Sequence, residues 1–150
     1  MLKKHFYIFI FLLFALSSSA QDTLMGNHNS LLITKGKHVI RTVVTVTKSL
    51  IIEPGASIEL IEPGMIVCEG AVNIKGISKN IEFYGKKNQE GAGLVIKSID
   101  SSSVIISNAS FTNLQMPLFF DFGWRRKSVV VENNNLHLLQ KYKRNIKNVK

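Results

Sequence analysis

Residues 51–70 read IIEPGASIELIEPGMIVCEG. Glu-Pro-Gly stands at 53–55 and again at 62–64, and Cys-Glu-Gly follows at 68–70. Proline fixes one backbone angle and glycine admits the opposite sign of φ, so each Glu-Pro-Gly makes a compact corner between very short strands. Corners repeated at such short steps turn a chain into a coil. The stretch therefore predicts stacked short strands wound around one axis.

The same grammar runs outward in both directions. Runs rich in Val and Ile occupy residues 31–34, 39–47, 50–53, 57–61, 65–69, 71–75, 80–84, 93–97, 103–107, 117–122 and 128–132. Between them stand Pro-Gly, Glu-Gly, Lys-Gly, Lys-Asn and Ser-Asn pairs, which let the backbone turn sharply. No helical stripe longer than two turns precedes Asn133. Paired apolar positions recur at nearly constant steps. Ile58/Leu60, Ile81/Phe83, Val104/Ile106 and Val129/Val131 form one series, with steps of 23, 23 and 25 residues. Val72/Ile74, Leu94/Ile96 and Leu118/Phe120 form a second, with steps of 22 and 24. A period of this kind is what a solenoid requires, because each turn must bring its strand beneath the previous one. Asn108 and Asn133 each follow a strand-like run one period apart, and asparagine tolerates the left-handed backbone region that such a bend uses.

The expected fold is all-β: a right-handed parallel β-helix of about four to five rungs, spanning residues 38–135. A lead-in or N-terminal cap occupies 21–37, and a basic amphipathic tail occupies 136–150. Residues 1–20 carry Lys3 and Lys4, an apolar run from Phe6 to Leu16, and the small residues Ser18 and Ala20. That is the layout of a secretory signal cut near Ala20, and it predicts export to the cell envelope or beyond. The apolar run is short for a bilayer core, and no second such run follows, so no transmembrane segment is expected in the mature chain. In the tail, Leu136, Leu139, Tyr142, Ile146 and Val149 recur as one face of a helix. Such a helix would cap the open end of the coil or lie on an anionic surface. An uncapped end would instead promote self-association.

The phrases LIIEPGASIELIEPG (50–64), AVNIKG (71–76), NIEFYG (80–85), SVIISNASFTNLQMPLFF (103–120) and SVVVENNN (128–135) resemble the right-handed parallel β-helix proteins of the pectin-lyase-like superfamily, in particular its bacterial secreted and cell-envelope members. The resemblance covers residues 39–135. It implies the fold. It assigns no activity, because the superfamily includes polysaccharide lyases and hydrolases, adhesins and non-catalytic members.

The net charge of +9 is unevenly placed: Glu132 is the only acid beyond Gly123, where eight Lys and Arg gather. The basic character belongs to the end of the chain, and a nucleic-acid-binding role for the whole fold is not indicated. Cys68 is the single cysteine and ends the apolar run Met65-Ile66-Val67, so it reads as a small buried side chain. Carboxylate chemistry on polysaccharide needs convergent acids. Asp22, Asp100 and Asp121 are scattered, and Glu53, Glu62 and Glu69 lie around one turn, so no shared calcium site is expected. His5, His28, His38 and His137 show no metal-ligand spacing. Residues 90–93 are Gly-rich without a following helix and form no phosphate loop. Thr42, Thr45 and Thr47 form no repeated array. Neither a catalytic residue nor a cofactor is assigned.

One candidate binding strip remains: Trp124, Arg125, Arg126 and Lys127, following Phe119-Phe120-Asp121-Phe122-Gly123. An exposed indole beside three cations would stack on a sugar ring and pair with anions. The competing reading is a loop in which Trp124 covers the core. The leading functional expectation is a non-catalytic exported module, structural or glycan-binding, with an anionic polysaccharide or cell-surface component as partner. That module is also read as a fragment of a larger protein, and the alternative is a carbohydrate-active lyase or hydrolase or its N-terminal piece.

Overall fold

The computed structural model describes residues 22–78, 80–97, 103–121 and 129–138. Twelve strands fill them and all named pairings are parallel. The strands are β1 (Asp22–Ile33), β2 (Gly36–Ile52), β3 (Ala56–Leu60), β4 (Met65–Cys68), β5 (Ala71–Lys75), β6 (Ile81–Gly85), β7 (Leu94–Ile96), β8 (Val104–Ser107), β9 (Ala109–Leu114), β10 (Leu118–Phe120), β11 (Val129–Glu132) and β12 (Asn135–Leu138). They wind into a β-solenoid: β1 is the first rung, and about four turns stack on it.

Three ladders run along the axis. The first face stacks the start of β1 on the start of β2, then β3, β6, β9 and β12. The second stacks the middle of β1 and of β2, then β4, β7 and β10. The third stacks the ends of β1 and β2, then β5, β8 and β11. β1 and β2 each run through all three faces, whereas later turns break into three strands. In β1 the bends between faces coincide with register shifts at Leu24/Gly26 and His28/Ser30.

Alternation decides what is buried. Successive side chains of a strand point to opposite sides, and the inward ones stack in register down each ladder. Ile58, Phe83 and Phe111 form one column, Val46, Cys68 and Ile96 a second, and Ile52, Ile74 and Ile106 a third. All nine are buried. Phe83 and Phe111 stack with ring centroids 4.6 Å apart and planes 4° from parallel. The columns end at the last turn: Val104 and Ile106 are 0% exposed, but Val129 and Val131 beneath them are 37% and 42% exposed. Burial here is supplied by the next rung.

Both Glu-Pro-Gly tripeptides are corners. At the first, the Ala56 N–H donates to the Glu53 carbonyl at 3.2 Å, and Gly55 takes φ +88°. This corner carries the chain from one turn to the next. At the second, the Gly64 N–H donates to the Ile61 carbonyl at 2.6 Å, and the Glu62–Pro63 bond is cis. This one links the first face to the second within a turn. Asn108 and Asn133 adopt φ +52° and +55° at equivalent bends, as their positions predict. The side chain that bonds along the stack belongs to the next residue: Asn134 Oδ1 accepts from the Ala109 N–H at 2.9 Å, and its Nδ2 donates to the Ile106 carbonyl at 2.8 Å.

Several expectations are corrected. The polar stretch read as a lead-in is strand β1, paired along its length with β2. The runs 39–47 and 50–53 are one strand. β9 was not anticipated, and Leu136, His137 and Leu138 extend as β12 against β9 instead of starting a helix. The remaining tail, Leu139–Lys150, lies outside the described residues, as does the signal-like segment.

The two periodic series also mix faces. Ile58 stacks on Phe83 and Ile81 on Ala109, whereas Val104 stacks on Val72 and Val129. In the second series Leu94 stacks on Leu118, as expected, but on Ile66 and not on Val72. The cause is unequal turn length. Partners are 16 residues apart between Asp22 and His38 and 32 apart between Val72 and Val104. The extra residues fall between strands whose stacking is kept.

Candidate functional site

The outer side of the first face carries a groove of about 420 Å³ lined by Lys37, Ser57, Glu82, Tyr84, Ser110, Thr112 and Asn113. That volume falls in the range of ligand sites, roughly 300–1,000 Å³. The register explains the lining. Lys37, Ser57, Glu82, Ser110 and Asn135 form one outward column. Glu59, Tyr84 and Thr112 form the neighbouring one, two residues further along each strand. Rungs are spaced about 4.8 Å apart, so the lining from β2 to β9 extends roughly 14 Å along the axis.

The backbone of this face is already spent. Each strand's N–H and C=O groups are committed to the parallel ladder, and binding must come from side chains. Those present are hydroxyls (Ser57, Ser110, Thr112), an amide (Asn113), carboxylates (Glu82 and the adjoining Glu59), an ammonium (Lys37) and a phenol (Tyr84). Hydroxyls and the amide both donate and accept, carboxylates only accept, and the ammonium only donates. Tyr84 is half-buried, with an apolar ring and a polar tip. Asn113 ends the face with φ +52°.

The strip proposed from sequence, Trp124, Arg125, Arg126 and Lys127, lies outside the described residues. The residues leading to it follow the expected alternation. Phe119 is 44% exposed and Asp121 is exposed, while Phe120 packs against the core. Asp100 also lies outside the described residues. Glu53, Glu62 and Glu69 occupy three different corners, and no group of three His, Cys, Asp or Glu among the described residues could hold a metal.

His38 is the inward end of the Ile58–Phe83–Phe111 column. Its Nε2 lies 2.8 Å from the Thr34 carbonyl, so that nitrogen carries a proton. Nδ1 makes no hydrogen bond and stands 3.9 Å from Asp22 Oδ2. His28 lies on β1 with Nε2 3.1 Å from the Met25 carbonyl. Cys68 is fully buried, and loss of hydration pushes its thiol above the ordinary range, with the charge of Glu69 adding to the effect. Thr45 stacks on Val67, Val95 and Phe119, so no threonine array continues along the second face.

Sequence reasoning did not single out the groove residues. The alternation within 57–61 and 80–84 already turns Ser57, Glu59, Glu82 and Tyr84 outward. What it lacked was the register that brings them side by side. Comparison of the chain with protein-family models, with curated proteins and with solved structures finds no match. The stacking of its turns makes the chain a β-solenoid, and no narrower family is shown.

Proposed function

We propose that this chain is an exported, non-catalytic β-solenoid module of the pectin-lyase-like type, which holds a cell-surface or extracellular glycan along the outer side of its first face. The observation that carries the reading is the groove itself. Its side chains are those that recognise hydroxyl-rich ligands, and successive rungs from β2 to β9 each contribute at least one of them, along the direction an extended polymer would lie. The signal-like layout of residues 1–20 supports export. No helix among the described residues is long and apolar enough to cross a membrane.

The test is an array of oligosaccharides probed with the purified protein, with light scattering on the same sample. Saturable binding by a monomer, weakened by Tyr84→Ala, is expected. Absence of binding to every glycan would refute the reading. The Trp124–Lys127 strip is a second contact of the same module, suited to anionic sugars. Replacing Trp124, Arg125 and Arg126 with Ala should abolish retention on an acidic-glycan matrix if that strip contributes.

One observation favours the enzymatic alternative. Glu59 lies opposite Tyr84, and Glu82 stands two residues before Tyr84 on the same strand. Strand geometry then sets the two Cα atoms about 8 Å apart on one outer side, so both carboxylates face the same stretch of a bound chain, as a pair of glycosidase carboxyl groups must. Release of reducing ends by the wild-type protein, lost in both Glu59→Gln and Glu82→Gln, would establish hydrolysis over simple binding.

A further inference from the structure

We infer that residues 139–150 dock as an amphipathic helix on the last turn and close the open end of the solenoid, which keeps the module monomeric. The inference is independent of the groove.

The two ends of the stack differ. At the first rung the inward position over His38 is held by Asp22, whose side chain is 67% exposed. A charge at a core position blunts an end against further stacking. The apolar residues Leu31 and Ile33 of that rung are already covered. The last turn shows the reverse. Val129, Val131 and Leu136 continue inward columns whose preceding members, Val104, Ile106 and Phe111, are fully buried, yet they are 37%, 42% and 51% exposed. Among the described residues, no strand pairs with the far edges of β10, β11 and β12. Apolar side chains and open strand edges thus meet at one end.

Topology says which segment arrives there. In each preceding turn the chain leaves the first face at a corner and enters the second: β3 leads to β4, β6 to β7 and β9 to β10. β12 lies on the first face, one layer beyond the last complete turn. The segment that follows it sets out toward the corner that opens onto β10 and then β11. That segment lacks the grammar of another rung. It holds no Pro or Gly, and Leu139, Tyr142, Ile146 and Val149 recur at steps of 3, 4 and 3, which is a helical face and not strand alternation. Its Lys and Arg residues fall outside that face. Residues 139–150 as a helix reach about 18 Å, enough to pass over the short strands β10 and β11, each roughly 10–13 Å long. In the layer of β12, the apolar face of the helix meets Val129 and Val131 below it and Leu136 beside it.

A second copy is the other candidate for this end, and area decides against it. A stable complex buries about 800 Å² on each partner. The end of a coil whose faces are roughly 10–20 Å long falls short of that. A tethered segment needs no such area, because its docking is intramolecular and its effective concentration is of millimolar order.

The experiment uses the whole chain with substitutions on both surfaces. Tyr142→Asp with Ile146→Asp alters the apolar face of the tail, Val129→Asp alters the end it covers, and Arg144→Ala, on the opposite side of the helix, is the control. Thermal unfolding, light scattering and hydrogen exchange are measured on each. The tail variant should lower the melting temperature by about 4 °C or more, speed exchange of the β10 and β11 amides, and associate as concentration rises. Arg144→Ala should do none of these. Adding Val129→Asp to the tail variant should lower the melting temperature little beyond either change alone, because both remove one contact. A tail variant that keeps its melting temperature and its exchange rates would overturn the inference. So would a wild-type protein that associates with concentration, if Val129→Asp abolished the association and the tail variant did not, since the end would then belong to a second copy.

Discussion

Replacing Phe83 with alanine tests the stacking on which the fold depends. Phe83 is fully buried, lies between Ile58 and Phe111 in the first-face column, and stacks on Phe111 at 4.6 Å. Removing a buried phenylalanine ring costs about 3–5 kcal/mol, part transfer and part cavity. Of that, about 0.5–1.5 kcal/mol belongs to the ring pair. The whole stability of a domain is about 5–15 kcal/mol, so the loss is a large fraction. It also falls in a middle rung, where it weakens two interfaces at once, since each rung contacts only its neighbours. Val131→Ala is the internal control: it faces inward on the last turn but is 42% exposed, so about 1 kcal/mol or less is expected. Urea unfolding followed by far-UV circular dichroism measures both. With a slope of about 1–3 kcal/mol per molar urea, Phe83→Ala should lower the midpoint by about 1 M or more. A double-mutant cycle with Phe111→Ala should return the ring-pair energy. If Phe83→Ala cost no more than Val131→Ala, or the cycle showed no coupling, the two rings would not be stacked and the register of β6 on β9 would be wrong.

Other substitutions probe the corners and the core. A Cβ on Gly70 would meet the Lys48 carbonyl oxygen at 2.0 Å, a backbone atom that cannot swing away; Gly70→Ala should destabilise by about 1–3 kcal/mol, and an unchanged urea midpoint would disprove the close approach. Asn133 and Asn134 separate two roles. Asn133→Gly should be tolerated, because φ there is +55°. Asn134→Gly should cost about 1–3 kcal/mol and speed exchange of the Ala109 amide, because it removes two bonds to the preceding turn. The order of these two effects, measured by hydrogen exchange, is the check. Cys68 should resist alkylation in the folded protein at a mildly alkaline pH where free thiols react readily, since burial both blocks access and disfavours the thiolate. Equal rates with and without denaturant would contradict the buried position.

What the sequence shows, and what it hides, follows from how a solenoid is built. Corners are legible because Pro, Gly and Asn carry their backbone preferences with them, and 53–55, 62–64, 108 and 133 all turn where those residues stand. In and out are legible wherever a run alternates, as in Ser57–Leu60. Register is not. Stacking fixes which strand lies under which, but it leaves corner length free, because extra residues leave into solvent at small entropic cost. One constant period therefore joins Phe83 to Val104, which lie on different faces. β1 and β9 were hidden for another reason. Gly26, His28 and Asn29 in one, and Ser110 and Asn113 in the other, are weak strand formers. They are strands because a paired edge is offered by β2 and by β6.

The groove was invisible from sequence for the same reason that it now carries the functional reading. Its seven lining residues come from β2, β3, β6 and β9 and from no common segment. Taken singly, a Ser, a Thr or a Lys on the outside of a strand is an ordinary solvated residue. The three faces, however, share one inward chemistry and differ outward. Val43 on the second face is 42% exposed, and Leu32 and Ile51 on the third are 53% and 41% exposed. This chain therefore does not keep its outer columns polar as a matter of course. The concentration of hydroxyl, amide, carboxylate and phenol groups on the first face departs from the rest of its own surface. If a glycan is held there, as proposed, this is the face whose outward groups Tyr84→Ala would test first.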